Sequence, residues 1–192
     1  CLKTARSGGL SSIVSSSALF NHIMTQRPDL GAALMQPFYR TRWGEVGSDR
    51  PAWIEVPAFN TFEGGVSTSY VRSAVRKAQL MPEVPRVTAK QEEAMDYMDE
   101  LAGSAEFHLD MALQVGDLQF VNNHYIMHSR TAYEDQEDWL EKRHLMRLWL
   151  ACDDGPTFPP GMTEHFQGLT RNGRPNGIHI PGVSFSAPLD AE

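Results

Sequence analysis

The segment from His108 to Arg130 reads HLDMALQVGDLQFVNNHYIMHSR, and it alternates apolar with polar residues over much of its length. That two-residue period is typical of β-strands, and residues 115–117 supply a turn between them. Residues 143–150, RHLMRLWL, predict a further strand on which Arg143 and Arg147 share one face. The second half of the chain is therefore predicted to be rich in strands and to carry the chemistry.

The first hundred residues predict mainly helices. A Gly8-Gly9 turn precedes a short strand around Ile13, and short strands and loops are predicted over residues 38–62. The predicted helices run from Ser16 or Ser17 to Arg27, from Leu30 to Met35, from Tyr70 to Ala78, and from the capping box Thr88-x-x-Gln91 to Ala102. Helices followed by a strand-rich half favour the α+β class, with the strands in a sandwich or barrel.

Length and charge exclude several classes of protein. The 192 residues suit one domain, and 17 Lys and Arg against 24 Asp and Glu leave a net charge of −7. Nucleic-acid affinity depends on neutralising phosphates, so an acidic chain without a Lys/Arg cluster is not expected to bind nucleic acid. No apolar run reaches the ~18 residues of a membrane span, so no membrane partner is expected. Cys1 and Cys152 are too few for a disulfide framework and favour a reducing, cytoplasmic location.

Three motifs in a fixed order carry a family resemblance. Residues 116–130 run from a Gly-Asp pair through two asparagines to His128-Ser-Arg, and the pattern Arg143-x-x-x-Arg147 begins fifteen residues after that histidine. Upstream, Gly8-Gly9-Leu10-Ser11 is similar to a G-G-x-T/S turn. In this order the motifs resemble the C-terminal iron-ligand region of the TauD/TfdA-type (taurine dioxygenase and clavaminate synthase-like) Fe(II)/2-oxoglutarate-dependent dioxygenases. The resemblance covers residues 2–150.

For the fold, the resemblance implies a double-stranded β-helix, or jelly roll, with flanking helices. The 192 residues then form a single partial dioxygenase domain, in which residues 1–155 resemble the family core and residues 156–192 are a Pro/Gly-rich C-terminal tail. In the family, a His-x-Asp/Glu pair that supplies the other two iron ligands normally lies upstream of the G-G-x-T turn. We therefore expect an N-terminally truncated chain whose pair lies upstream of Cys1.

The resemblance also implies a role for each motif residue. His128 would be the distal iron ligand, through a neutral imidazole nitrogen. Arg143 would hold the distal carboxylate of 2-oxoglutarate in a bidentate, charge-assisted pair, and the hydroxyl of Ser11 would add a hydrogen bond. Arg147 would face the same cavity and contact either the co-substrate or an anionic substrate, and Asn123 would contact the substrate.

These roles imply an oxidoreductase. Two histidines and one carboxylate leave three iron positions open, two for 2-oxoglutarate and one for O₂. The expected reaction hydroxylates a small, anionic organic substrate while 2-oxoglutarate becomes succinate and CO₂. The alternative is a non-catalytic binding or interaction domain on the same scaffold, without a complete metal site. A homo-oligomer is left open.

Three other features favour no site. His108-Leu109-Asp110 has the His-x-Asp spelling, but it lies where the family has no ligands, and we interpret it as a coincidence. The acidic run at residues 133–138 is interpreted as a solvated loop and not as a cation site. A serine hydrolase is disfavoured because the sequence has no Gly-x-Ser-x-Gly motif.

Overall fold

A computed structural model describes residues 1–42, 51–148 and 150, together with the backbone of residues 170–171 and 174–175. The strands are β1 Ser7–Gly8, β2 Ser11–Ser15, β3 Pro37–Thr41, β4 Trp53–Pro57, β5 Phe59–Phe62, β6 Gly65–Thr68, β7 His108–Met111, β8 Ile126–Arg130, β9 Tyr133–Glu134, β10 Thr170–Arg171 and β11 Arg174–Pro175. The helices are α1 Ser16–Gln26, α2 Pro28–Leu34, α3 Arg72–Ala78 and α4 Ala89–Ala102. Cys152, and the predicted tail apart from β10 and β11, lie outside the described residues.

The helices follow their capping signals closely. In α4 the capping box is confirmed, because Thr88 accepts a hydrogen bond from the Gln91 N–H while the Gln91 side chain accepts from the Thr88 N–H. Ser15, and not the predicted Ser16 or Ser17, caps α1 by accepting from the Ala18 N–H at 3.2 Å. Pro28 begins α2 directly after Arg27, the C-terminal cap residue of α1. Proline suits the first helical position because the backbone N–H that it lacks would be unpaired there anyway.

The main core lies where α1, α2 and α4 pack together with the ring of Phe59. Its members are apolar residues that recur at helical spacing and lose nearly all contact with solvent: Leu19, Ile23, Leu30, Leu34, Met95 and Met98. Val14 of β2 is buried in the same cluster. The helical layer therefore covers one face of the sheet that contains β2. Within the described residues no helix is both long and apolar enough to cross a membrane.

All strand pairs in the described residues are antiparallel, and β2 lies between β7 and β8 in a three-stranded sheet. The remaining strands form two-stranded pairs, β1 with β9, β3 with β4, β5 with β6 and β10 with β11. Strands thus occur in both halves of the chain with helices between them, which corrects the expectation of a helical half followed by a strand-rich half. The mixture of helices and antiparallel strands agrees with the α+β prediction.

The segment from His108 to Arg130 holds less strand than its alternation predicts. β7 and β8 occupy only its two ends, and residues 112–125 form turns and irregular chain. The turn at residues 115–116 is present, with Gly116 at φ +92°, but the strands on either side of it do not pair with each other. Each pairs instead with β2, a segment about a hundred residues earlier in the chain, which no local pattern indicates.

The strand predicted over residues 143–150 is wrong for the part that the structure describes. There only His144 forms a β-bridge, with Lys3. The backbone N–H of Arg143 donates to Asp135 Oδ1 at 2.8 Å and not to a neighbouring strand. A side chain therefore satisfies a backbone group that would otherwise join a ladder. The predicted common face of Arg143 and Arg147 does not exist as a strand face.

Candidate active site

One face of the β7–β2–β8 sheet carries the histidine and the serine that the sequence singled out. In the register of β2 and β8, Ser11 lies opposite Arg130 and Ile13 lies opposite His128. Directly opposed residues of an antiparallel pair share a face, and alternate residues along a strand return to it. Ser11, His128 and Arg130 therefore lie on the same face, away from Val14 on the core side.

The His108-x-Asp110 pair lies on the other face of this sheet. His108 is opposite Val14, and Asp110 is opposite Ser12, so both point to the side away from His128. His108 Nε2 is 3.7 Å from Asp110 Oδ2, while its Nδ1 is 2.7 Å from the carbonyl oxygen of Ser104. The pair is thus separated from His128 by the sheet itself.

The Gly8-Gly9 turn brings the chain close to the segment that follows β8. Both residues have left-handed backbones, with φ +69° and +72°, which glycine adopts without strain. A Cβ on Gly8 would lie 2.3 Å from the Ala132 carbonyl oxygen, and a Cβ on Gly9 would lie 3.2 Å from Arg143 Nε. The Gly9 N–H donates to the same Ala132 carbonyl at 3.1 Å. The second glycine therefore leaves the space in which the Arg143 side chain lies.

Arg143 is held from three directions. Gly9 flanks its side chain, its backbone N–H donates to Asp135, and its Cζ lies 5.5 Å from the centroid of the Tyr133 ring. In the described residues no carboxylate forms an ion pair with its guanidinium. The side chain is therefore positioned while its charge stays available to an anion.

The hydroxyl of Ser11 has a protein partner that the sequence did not indicate. Ser11 is buried, and its Oγ donates to Gln119 Oε1 at 2.8 Å. Gln119 belongs to the irregular chain before β8 and is itself exposed. A ligand that bonds to this hydroxyl therefore has to share it with Gln119 or displace that side chain.

His128 lies in a positive electrostatic environment. It is exposed at the surface, yet neighbouring atoms cover part of its ring, and this partial burial lowers its pKa below the ordinary value. The positive charge of Arg147 lowers the pKa further. The structure therefore brings Arg147 close enough to His128 to affect it, and it favours the neutral imidazole, which is the form that binds metals.

Asn123 lies away from these residues along the sheet. It is in the turn at residues 123–125 that leads into β8, next to the start of α1, where the Ser16 N–H donates to the Tyr125 carbonyl. His128 and Arg130 lie further along β8, toward the Gly8-Gly9 turn. The structure brings Ser11, His128, Arg143 and Arg147 to one region and leaves Asn123 at its edge.

The residues present fit an anion better than they fit a metal ion. No group of three His, Cys, Asp or Glu side chains in the described part of the chain is arranged to hold a metal. His128 would supply one nitrogen ligand, and an iron site of this class needs two more protein ligands. By contrast, the Arg143 side chain lies beside Gly9 and the Tyr133 ring, and its guanidinium offers the donor geometry that carboxylates prefer. The described residues by themselves do not make an iron site.

The sequence reasoning missed two residues near the candidate site, the aromatic Tyr133 and the cationic Arg130. Tyr133 was placed in a solvated acidic loop, but its ring packs against the guanidiniums of both Arg130 and Arg143. Arg130 was noticed only as part of the His-x-Arg pattern. The sequence did contain a signal for Arg130, because it lies two residues after His128 and residues two apart share one face of a strand.

Comparison with known proteins shows the family of this chain. Residues 1–149 match the family model described as taurine catabolism dioxygenase TauD, TfdA family. The chain is 31% identical to FR-33289 synthase of Streptomyces rubellomurinus over 181 residues, which is 91% of this chain and 52% of that protein. It is 30% identical to the taurine hydroxylase-like protein SAT17 of Stachybotrys chartarum over 172 residues, 85% of this chain and 42% of that protein.

The family match and the two relatives indicate an oxygenase-type class of protein. The chain belongs to the TauD/TfdA family, whose members are dioxygenase-type oxidoreductases that generally use Fe(II) and 2-oxoglutarate. It spans about half the length of the curated relatives that it matches.

Proposed function

We propose that the protein to which this chain belongs is an Fe(II)/2-oxoglutarate-dependent dioxygenase that hydroxylates a small, anionic organic molecule and converts 2-oxoglutarate to succinate and CO₂. The observation that carries the proposal is the arrangement of Ser11 and His128 on one sheet face, with Arg143 held beside the Gly8-Gly9 turn. The family match supports the reaction class, and the relatives named a synthase and a hydroxylase-like protein are consistent with it.

The finer fold belongs to the same proposal. A double-stranded β-helix would place the Ser11–His128 face inside the barrel, where the reaction occurs away from bulk water. The three-stranded sheet, covered by helices on its Val14 side, is what such a barrel requires on one of its walls. Leu109, which shares the His128 face by register, is 58% exposed in the described structure and is an apolar residue suited to a barrel interior.

Each site residue has a defined part in this function. His128 would supply a neutral nitrogen ligand to iron, and iron held there would supply the oxidising chemistry together with O₂. Arg143 binds the distal carboxylate of 2-oxoglutarate, with the Ser11 hydroxyl beside it. Arg147 attracts the anionic substrate, and Asn123 contacts that substrate from the edge of the sheet. The partner is a small molecule and not a nucleic acid or a membrane.

The test uses the full gene product, supplied anaerobically with Fe(II) and 2-oxoglutarate and then exposed to O₂. We predict succinate formation, and the variant Arg143→Gln should raise the KM for 2-oxoglutarate about 10- to 100-fold, because a charge-assisted pair worth roughly 1.5–3 kcal/mol is lost. Succinate is quantified by chromatography at several concentrations of 2-oxoglutarate. A gene product that consumes no 2-oxoglutarate, with or without added small anions, contradicts the proposal.

A second candidate is a non-catalytic binding domain on the same scaffold. It is favoured by one observation, that the described residues supply a single iron ligand in His128 and no group of three. The two candidates differ in iron binding, since a binding domain would retain the anion site of Arg143 but would not hold Fe(II). Equilibrium dialysis of the full gene product against Fe(II) distinguishes them, with stoichiometric iron supporting the enzyme.

A further inference from the structure

Arg130 has a position that the proposed function does not use. It ends β8 directly opposite Ser11 and lies on the His128 face of the sheet. Its guanidinium lies over the Tyr133 ring, with Cζ 4.0 Å from the ring centroid, and it donates to the Thr131 carbonyl at 3.3 Å. Stacking on an aromatic face fixes the direction of a guanidinium while leaving most of its N–H donors unused.

Arg143 approaches the same ring. Its Cζ lies 5.5 Å from the Tyr133 centroid, so the two guanidinium carbons are within about 10 Å of each other. Neither guanidinium has a carboxylate partner among the described residues. Other arginines of the chain do have one: Arg6 pairs with Glu134, Arg27 with Asp29 and Arg72 with Asp99. Two like charges thus approach one aromatic side chain, and within the described residues neither makes a direct ion pair with a carboxylate.

The upper limit on the separation of the two guanidiniums leaves room for one shared carboxylate. In a guanidinium–carboxylate pair with N–H···O distances near 2.8 Å, the two central carbons lie about 4 Å apart. Two arginines that bind one carboxylate from different sides therefore have their Cζ atoms roughly 8 Å apart. This is less than the largest Cζ–Cζ distance that the two distances to the Tyr133 centroid allow. An oxyanion bound between them would remove the repulsion that the arrangement otherwise contains.

We propose that Arg130 and Arg143 form a two-arginine site for a single carboxylate, and that Tyr133 is the positioning residue that holds both guanidiniums. The carboxylate is the distal one of the 2-oxo acid. This inference rests on the proposed function and deepens it, because it adds a second charge to the part of the site that binds the co-substrate.

The test measures binding of glutarate to this 192-residue chain by calorimetry or by NMR titration. Glutarate has the carbon skeleton and both carboxylates of 2-oxoglutarate but no oxo group, so its binding does not depend on iron. Arg130→Met keeps most of the aliphatic stem and removes the charge, and it should weaken glutarate binding about tenfold, as should Arg143→Met. Arg6→Met is the matched control, since Arg6 lies in the bend directly before β1 but is paired with Glu134.

Two further variants test the role of Tyr133. Tyr133→Phe keeps a ring for both guanidiniums and should bind glutarate within about twofold of the original chain, whereas Tyr133→Leu should bind several-fold more weakly. Arg130→Lys keeps the charge without the planar fork and should fall between the original chain and Arg130→Met. The far-UV circular dichroism spectrum of each variant confirms that it is folded.

The outcomes separate this inference from the proposed function. If Arg143→Met loses glutarate while Arg130→Met binds it as the original chain does, the two-arginine site is wrong and the co-substrate role of Arg143 stands. Equal weakening by Arg6→Met would show that only general surface charge is being measured, which also overturns the site. If the unaltered chain binds no glutarate at millimolar concentration, both the two-arginine site and the assigned role of Arg143 are contradicted.

Discussion

At the scale of single residues, Gly9 makes the link between backbone conformation and the candidate active site. Its left-handed φ allows the tight turn, and its missing Cβ leaves room for Arg143. Gly9→Ala should lower the free energy of unfolding by about 1–2 kcal/mol because of the backbone strain. It should also weaken glutarate binding, because the added methyl group displaces the Arg143 side chain. Urea unfolding and a glutarate titration measure the two effects.

Gly64 provides the control for this prediction. It has a similar φ of +78°, but a Cβ there would meet no atom within 4 Å. Gly64→Ala should therefore show the strain in urea unfolding and leave glutarate binding unchanged. If both variants weaken glutarate binding equally, the effect comes from general loss of stability and not from the packing of Gly9 against Arg143.

His124 makes the stability of the chain depend on pH. It lies in the turn before β8, and burial lowers its pKa below the ordinary value of 6.5. The unfolded chain then takes up the proton more readily than the folded chain, so stability falls as the pH drops from 6.5 toward the pKa of the folded state. His128 contributes in the same direction.

His124→Gln should accordingly lose less stability between pH 7.5 and pH 5.5 than the unaltered chain does. The measurement is the free energy of unfolding in urea at the two pH values, with each chain compared to itself. A variant whose loss matches that of the unaltered chain would show that His124 titrates normally in the folded state.

The sequence predicted which candidate residues lie near one another better than it predicted their contacts. Ser11, His128, Arg143 and Arg147 follow from motif order, and the structure brings them together. The hydrogen bond between Ser11 and Gln119, by contrast, joins residues more than a hundred positions apart. Such contacts depend on strand register and chain path, and residue spacing contains neither.

At the scale of elements, α3 and α4 are joined by an ion-pair network centred on Arg72. Its guanidinium pairs with Glu92, Asp96 and Asp99 of α4, and the Tyr70 hydroxyl donates to Asp99 at 2.9 Å. The Arg72 side chain is 24% exposed, so solvent screens it less than it screens a fully exposed pair.

Arg72→Met should therefore lower the free energy of unfolding by about 1–2 kcal/mol, and the difference should shrink at 1 M salt. Arg76→Met is the matched comparison, because Arg76 pairs with Glu92 from a side chain that is 50% exposed. That substitution should cost less than about 1 kcal/mol. Equal losses for the two variants at low salt would contradict a network that depends on partial burial.

Helices were predictable from the sequence, and the strands around the site were only partly so. A cap such as Thr88 with Gln91 depends only on residues close in sequence, and the helix that it starts was predicted correctly. A strand depends on a distant partner. The alternation in residues 143–150 was misleading because Asp135 satisfies the Arg143 N–H.

At the scale of the whole molecule, the candidate site depends on long-range pairing. β2 at residues 11–15 lies between β7 and β8, which are about a hundred residues away in the chain, and the helices α1 to α4 lie in the intervening sequence. All four helices thus lie in the stretch of chain that connects β2 to β7. The family could be predicted from motif order, while this topology required the structure.

The most direct test of the central claim compares two histidines of the same sheet. In the full gene product with Fe(II), 2-oxoglutarate and O₂, we predict that His128→Ala abolishes succinate formation. His108→Gln, on the opposite face of the sheet, should retain it within a factor of a few. Succinate formation that survives His128→Ala, or that is lost equally in His108→Gln, would contradict the assignment of His128 as the iron ligand.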